Sequence, residues 1–236
     1  MRKLSSFLRS ILLAVLPILV ETASASNLTT DDNRLKNCGT VLKSVLDISD
    51  DIPQDLLDRS DCVVVIPNVL RATRIDGGSY GRGAMTCRQG EDFNGPWGAP
   101  TMMFLEGGNF GYQIDRKSTD LILLVMNEAG ANALLGSEVK LGADATSAAG
   151  PVGHELATES CEVQQAEILS YSRARGMFAG ASLAGTTIRP DNGNNHRLYG
   201  RKIPARDITL SGTVAALPAA GEMISTLETK TPKHSP

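Results

Sequence analysis

Apolar residues recur at helical spacing from Leu35 through Cys38, Val41, Leu42 and Val45 to Leu46, behind the start signal Thr30-Asp31-Asp32. That spacing predicts one amphipathic helix. Pro53, heading PQDLLDRS, predicts a second, short helix. The period then changes. CVVVIP is a β-branched run of strand length that Pro67 closes. From Gly77 to Met126 the chain reads as strands separated by turns: GGSYGRGAMTCR, PTMMFLEG, GGNFGYQIDR and TDLILLVMN. Leu121–Met126 is apolar on both faces, which predicts a central strand covered on each side. Asn127 caps a short helix through Leu135, and Gly136 ends it.

Two of the strand segments share a GG-x-aromatic-G pattern, at Gly77–Gly81 and Gly107–Gly111. Glycine weakens a strand unless the strand bends or another backbone packs closely, so the repeats predict a strongly curved sheet. KLGADATSAAGPVG, from Lys140 to Gly153, has almost no side-chain bulk. Its lysine and hydroxyl are in the wrong order for a nucleotide loop. Leu141, Ala143, Ala145 and Ser147 alternate with small or polar residues, which predicts a tightly packed strand over Val139–Ala148 and a turn at Gly150-Pro151. A polar patch follows from His154 to Gln165. AEILSYSRARGMFAGASLAGTTIRP then predicts one or two more strands, DNGNNHRLYG a turn and short helix, and Ser211–Leu227 a last helix.

Charge and composition change the picture first at the N-terminus. Arg2, Lys3 and Arg9 precede the apolar run Ile11–Val20 and then Ala23-Ser24-Ala25. That order is expected of a secretory signal peptide over residues 1–25, cleaved after Ala25. The apolar run is about half the ~20 residues that a spanning helix needs. Cleavage removes three basic residues and Glu21, so the formal net charge of −3 becomes −5. An acidic chain of this kind is not a general nucleic-acid binder. The expectation is an exported protein, periplasmic or secreted, with one domain over residues 26–228 and a disordered tail at 229–236.

Cys38, Cys62, Cys87 and Cys161 all lie in the mature part, and an oxidising compartment favours disulfides. The spacing has no CxxC pair, which argues against structural zinc. Cys62 and Cys87 each open or close a predicted strand and are paired here, leaving Cys38 with Cys161.

Catalytic templates fit poorly. GASLA at Gly180–Ala184 ends on Ala where a nucleophile elbow has Gly, and HELAT at His154 lacks the second histidine of a zinc protease. A hydrolase using Ser182 or His154 is the weakest reading, and no cofactor or metal is expected. Arginines are more suggestive. Arg71, Arg74, Arg82 and Arg88 share one strand-turn-strand region with Asp76 as its one internal acid, Arg173 and Arg175 flank Ala174, and Arg197, Arg201, Lys202 and Arg206 form a run without an acid. Guanidinium forks suit phosphate oxygens. The same residues also read as solvated arginines offset by acids elsewhere.

The segments DCVVVIPNV, GGSYGRGAMTCR, GGNFGYQI, STDLILLVMN, LGADATSAAGPVG, AEILSYSRARGMFAG and LYG, in that order over Ile52–Gly200, resemble the SYLF-domain family. The resemblance implies a non-enzymatic domain that binds membrane lipids, in eukaryotic members particularly phosphoinositides, and in some cases actin filaments. With its leader, the chain is similar to the signal-bearing bacterial branch. For such a protein the implied partner is anionic phospholipid or another envelope component. Two departures stand out: the often basic position after Gly153 is His154, and polar NLTTDDNR replaces the amphipathic start of some animal members.

The expected fold is therefore α+β: one domain with N-terminal helices on a curved, largely antiparallel, barrel-like sheet and short helices between strands. The expected function is lipid or membrane-surface binding, with Arg71, Arg74, Arg82, Arg173 and Arg175 as headgroup contacts. A scaffold that binds another envelope protein through its sheet surface is the alternative.

Overall fold

The computed structural model describes residues 18–48, 52–71, 78–107, 119–144, 146–152, 161–174, 177–232 and 234. Helix α1 (Ile18–Leu46) and short α2 (Gln54–Asp58) precede β1 (Cys62–Arg71), β2 (Ser79–Cys87), β3 (Thr101–Gly107) and β4 (Thr119–Val125). Helix α3 (Glu128–Gly136), β5 (Val139–Lys140), β6 (Ser147–Ala149) and α4 (Cys161–Gln165) follow. The chain ends through β7 (Ile168–Ala174), β8 (Met177–Gly180), β9 (Thr186–Pro190), α5 (Asn192–Tyr199), α6 (Ala205–Leu210) and α7 (Gly221–Lys230). The strands form one sheet in the order β5-β9-β3-β2-β1-β4-β7-β6, with β8 also paired to β7. Every pairing is antiparallel except β6 with β7.

Both faces of the sheet are covered, which is why its central strands read as unbroken apolar runs. Val63, Val65, Ile122 and Leu124 pack with Leu35, Leu42 and Val45 of α1 and Met223 and Leu227 of α7. Val64, Ile66, Leu121, Leu123 and Val125 pack the other way, with Leu134 and Leu135 of α3 and Ala205 of α6. The sequence reading of Leu121–Met126 as a central strand is therefore correct. Gly39 lets α1 and α7 cross closely, because a Cβ there would lie 2.8 Å from the Met223 nitrogen.

The sheet curls into a half-barrel, and two features produce the curl. A bulge interrupts β1 between Ile66 and Val69 in its pairing with β4, with Asn68 at φ 53°. Across from it, a Cβ on Gly83 would sit 1.9 Å from the Val65 carbonyl oxygen, and one on Gly81 would sit 2.7 Å from Ile66 Cγ2. Gly83, two residues past the first GG-x-aromatic-G repeat, thus admits the bent backbone of β1, and Gly81 at the end of that repeat leaves room for the Ile66 side chain. The second repeat, from Gly108 to Gly111, lies outside the described residues.

The low-bulk stretch differs from the single strand expected. It is β5, a turn through Gly142 (φ +82°), and β6, with the Lys140 N–H donating to Asp144 Oδ2 at 2.9 Å. β5 and β6 lie on opposite edges of the sheet. Laid flat, eight strands would separate those edges by about 34 Å at ~4.8 Å per spacing. The seven residue-to-residue steps from Lys140 to Ser147 reach at most about 25 Å. The stretch therefore ties the two edges of a curled sheet together. Its smallness also has a direct cause: a Cβ on Gly150 would lie 2.1 Å from the Tyr171 ring, and one on Gly180 would lie 2.2 Å from the Gly150 carbonyl oxygen.

Other corrections are local. α1 is already helical at Ile18, ahead of the Thr30 start read from the caps, because neither Gly nor Pro breaks the chain between them. AEILSYSRARGMFAGASLAGTTIRP yields three strands, β7 to β9, and α6 was not anticipated. Cys62 and Cys87 are bonded at 2.10 Å, joining directly paired positions of β1 and β2. The expected Cys38–Cys161 disulfide is not formed: Cys38 is buried on the inner face of α1, its Sγ donating to the Val65 carbonyl oxygen at 3.5 Å, and Cys161 is exposed on α4. Burial pushes the Cys38 thiol up to about 12.

Of the tail expected to be disordered at 229–236, residues 229–232 and 234 are among the described residues. α7 continues to Lys230, and Thr231 and His234 dock. Arg88 donates to the Thr231 carbonyl oxygen at 2.6 Å, and Trp97 Nε1 donates to Thr231 Oγ1 at 3.2 Å. His234 Nε2 lies 3.1 Å from Asp61 Oδ1.

A candidate binding groove between α1 and the β1–β2 end

The five arginines proposed as headgroup contacts do not form one described cluster. Arg74 and Arg175 lie outside the described residues, and Arg71 is placed on β1 by its backbone. Arg173 is spent on structure. Its NH2 donates to Asp120 Oδ2 at 3.0 Å and its NH1 to Ser44 Oγ at 2.6 Å, while Asp120 Oδ1 accepts the Asn68 N–H at 3.0 Å. One carboxylate thus joins the β1 bulge to β7, and Arg173 carries the link on to α1.

Arg82 is different. It stands on β2, half exposed, opposite Phe104 on β3, which in turn opposes Arg189 on β9. Both guanidinium carbons lie 4.8 Å from the Phe104 ring centroid. Strand pairing alone aligns these three side chains, since residues in register on one face are nearest neighbours. Arg82 Nε also donates to Asp191 Oδ2 at 3.0 Å. Asp191 is the N-cap of α5, accepting the Asn194 N–H at 3.2 Å. A nearby carboxylate, Asp31 on α1, is almost fully buried and accepts from Arg34 at 2.7 Å and from Arg197 Nε at 3.0 Å.

Of these residues Arg34 and Arg82 border an open groove of about 630 Å³ between α1 and the far ends of β1 and β2. Arg34 and Lys36 line it from α1, Arg82 from β2, and Leu70 and Tyr80 from a directly paired position of the two strands. Leu70 and Tyr80 are 44% and 46% exposed, which marks them as protruding apolar side chains rather than core. No carboxylate is among the lining residues. Lys36, Arg34, Leu70 and Tyr80 were missed from the sequence. A signal existed for the helical ones, because Asn33, Lys36, Asn37 and Thr40 recur on the side of α1 opposite Leu35, Cys38 and Leu42. Tyr80 was visible as the aromatic of its glycine repeat.

Catalytic geometry is not assembled in this part of the chain. Among the described residues Ser182 is exposed and bonds no histidine or acid, and His154 lies outside them. Among those residues no group of three or more His, Cys, Asp or Glu could hold a metal ion.

A curled sheet clasped by helices, with an open cationic and apolar groove at one end, defines an α+β binding domain. The chain belongs to the Ysc84 family, described as Las17-binding protein actin regulator, which matches residues 106–230; this is the SYLF resemblance seen in the sequence. It is 31% identical to an SH3 domain-containing protein of Schizosaccharomyces pombe over 83% of this chain and 46% of the relative. It is 27% identical to LAS seventeen-binding protein 3 of Saccharomyces cerevisiae over 78% of this chain and 40% of the relative. It is also 30% identical to the SH3 domain-containing YSC84-like protein 1 of Homo sapiens over 51% and 35%. The chain spans less than half the length of these relatives, whose names are those of binding and SH3-containing proteins.

Proposed function

We propose that this chain is a non-enzymatic binding domain that docks reversibly on an anionic phospholipid surface in the bacterial envelope. The observation that carries the reading is the groove itself: Arg34, Lys36 and Arg82 beside protruding Leu70 and Tyr80, with no acid in the lining. Each cation near an anionic surface contributes ~1 kcal/mol, so three supply ~3 kcal/mol before the share that Asp31 and Asp191 offset. That is about two powers of ten in affinity, suited to peripheral and salt-sensitive binding. The order of basic, apolar and small residues over positions 1–25 supports export, as does the Cys62–Cys87 disulfide.

Flotation of the mature chain with vesicles of phosphatidylglycerol in phosphatidylcholine tests this directly. Binding to the anionic vesicles, weakened by salt and by Lys36→Glu with Arg82→Glu, is expected. Equal recovery with phosphatidylcholine alone sinks the reading. N-terminal sequencing of the exported protein should begin at Ser26.

A further inference from the structure

Thr231 and His234, in the segment after α7, dock at the sheet end that the Cys62–Cys87 disulfide closes. Thr231 is clamped twice. Its carbonyl oxygen accepts from Arg88 NH2 at 2.6 Å, and its hydroxyl oxygen accepts from Trp97 Nε1 at 3.2 Å. Three residues on, His234 Nε2 lies 3.1 Å from Asp61 Oδ1 and 3.3 Å from the Arg59 carbonyl oxygen. The His234 and Asp61 side chains are 4% and 8% exposed, so the pair is shut away from water. His234 Nδ1 is buried as well, with no hydrogen-bond partner among the described residues. An open groove of about 560 Å³, lined among others by Arg88, Trp97, Glu228 and Pro232, runs beside the segment. The segment is therefore a strap bordered by open space.

Charge reaches Asp61 from several elements: His234 on the strap, Arg88 just past β2 and Glu128 at the start of α3. Asp58 of α2 acts in turn on Arg88, and Glu228 of α7 lines the groove beside His234. While the Asp61–His234 pair holds one proton it is neutral overall, as imidazolium with carboxylate or as imidazole with carboxylic acid. Without that proton a carboxylate is left buried against a neutral ring, and burial disfavours the charged form. We propose that the segment after α7 is a proton-gated strap, docked over Trp97 and Arg88 while the Asp61–His234 pair shares a proton and lifting off the folded domain when the pair loses it. The direction agrees with the carboxyl itself, which burial pushes from 3.8 up to about 6. His234 covers Asp61 from the strap side, so docking supplies part of that burial and takes up a proton. Its contribution is complete at acid pH and is lost as pH rises through 6. Lifting the strap uncovers the Trp97 ring and the Arg88 guanidinium, which are 5% and 3% exposed beneath it. Arg88 follows Cys87 directly, so the disulfide holds the uncovered surface in place.

Trp97 is the one tryptophan of the chain, so its indole N–H is a single signal that reports the bond to Thr231. The test is hydrogen exchange of that N–H in the mature chain, followed by NMR from about pH 5 to about pH 8 and referenced to free indole at each pH. The amide of Leu123, in central β4, reports opening of the whole domain. Indole protection should stay below that of Leu123 and fall several-fold across the range. The limit is about tenfold, the change that a carboxyl moved from 3.8 to about 6 allows between those two pH values. Asp61→Asn should remove the fall. His234→Ala alters the strap and leaves the domain core intact, and it should lower indole protection at the acid end. Indole protection equal to that of Leu123 overturns the inference, as does protection in the parent that does not change with pH. So does a fall that persists in Asp61→Asn, or protection in His234→Ala that matches the parent.

Discussion

At one end of the β1–β2 pair, a disulfide joins Cys62 to Cys87, and the residues just outside it, Asp61 and Arg88, are buried beneath the docked C-terminal segment. Arg88 lies over the Trp97 ring at 4.6 Å while donating to Thr231, and His234 reaches Asp61. At the other end the same two strands present Leu70 and Tyr80 to solvent, with Arg82 half exposed beside them. Covalent, aromatic and ionic contacts are concentrated where the strands are closed off, and exposed mixed chemistry where they are open. The difference teaches where stability and recognition are separated in this domain, and the β1 bulge over Gly83 is the boundary between the two.

Breaking that boundary should have the largest effect. Gly83→Ala forces a Cβ onto the Val65 carbonyl. A loss of about 4 kcal/mol or more is expected in urea denaturation, or no folded protein. Trp97→Ala at the closed end removes a buried ring and its bond to Thr231, with an expected loss of about 3–5 kcal/mol and normal vesicle binding by the protein that remains folded. Cys62→Ser with Cys87→Ser, which opens a loop of sequence separation 25, should cost about 3 kcal/mol. If vesicle binding fell in step with stability in these variants, the two ends would not be separable.

A finer probe of the closed end is pH. Burial raises the Asp61 carboxyl to about 6, opposed by His234 and Arg88 and reinforced by Glu128. The folded state therefore holds this proton more tightly than the unfolded chain. Its stabilising contribution is complete below the ordinary value of 3.8 and is lost as pH rises through 6. In Asp61→Asn that loss is absent, so the melting temperature should change less between pH 4 and pH 7 than in the parent. At the open end, Leu70→Ser with Tyr80→Ser should shift stability by less than about 0.5 kcal/mol per site. Vesicle flotation should nevertheless fall, and unchanged flotation would remove these side chains from the site.

The sequence made the element types legible wherever local chemistry decides them. Helical spacing marked α1, Asn127 and Gly136 bracketed α3, and the two-faced apolar run of β4 announced a central strand. The curvature expected from the glycine repeats is present, and the first of them lies against the bend in β1. Their meaning became specific only with the bulge in β1, because a close approach involves two backbones and a sequence displays one. The site was less legible. Arg82 and Arg173 share a residue type and a predicted role, yet Asp120 and Ser44 occupy Arg173 while Arg82 stands at a groove.

The pattern of residues by itself determined that this is one α+β domain of the SYLF type, with a curved sheet and a cysteine pair at matched strand ends. Periodicity, caps, glycines and an ordered set of family segments all act along the chain, where sequence is read directly. Only the tertiary structure decided that KLGADATSAAGPVG ties opposite edges of the sheet, that the tail docks on Trp97 and Asp61, and which arginines remain beside a groove. Those outcomes depend on which distant backbone or carboxylate arrives within a few ångströms. Curling a sheet brings together positions that no spacing along the chain records.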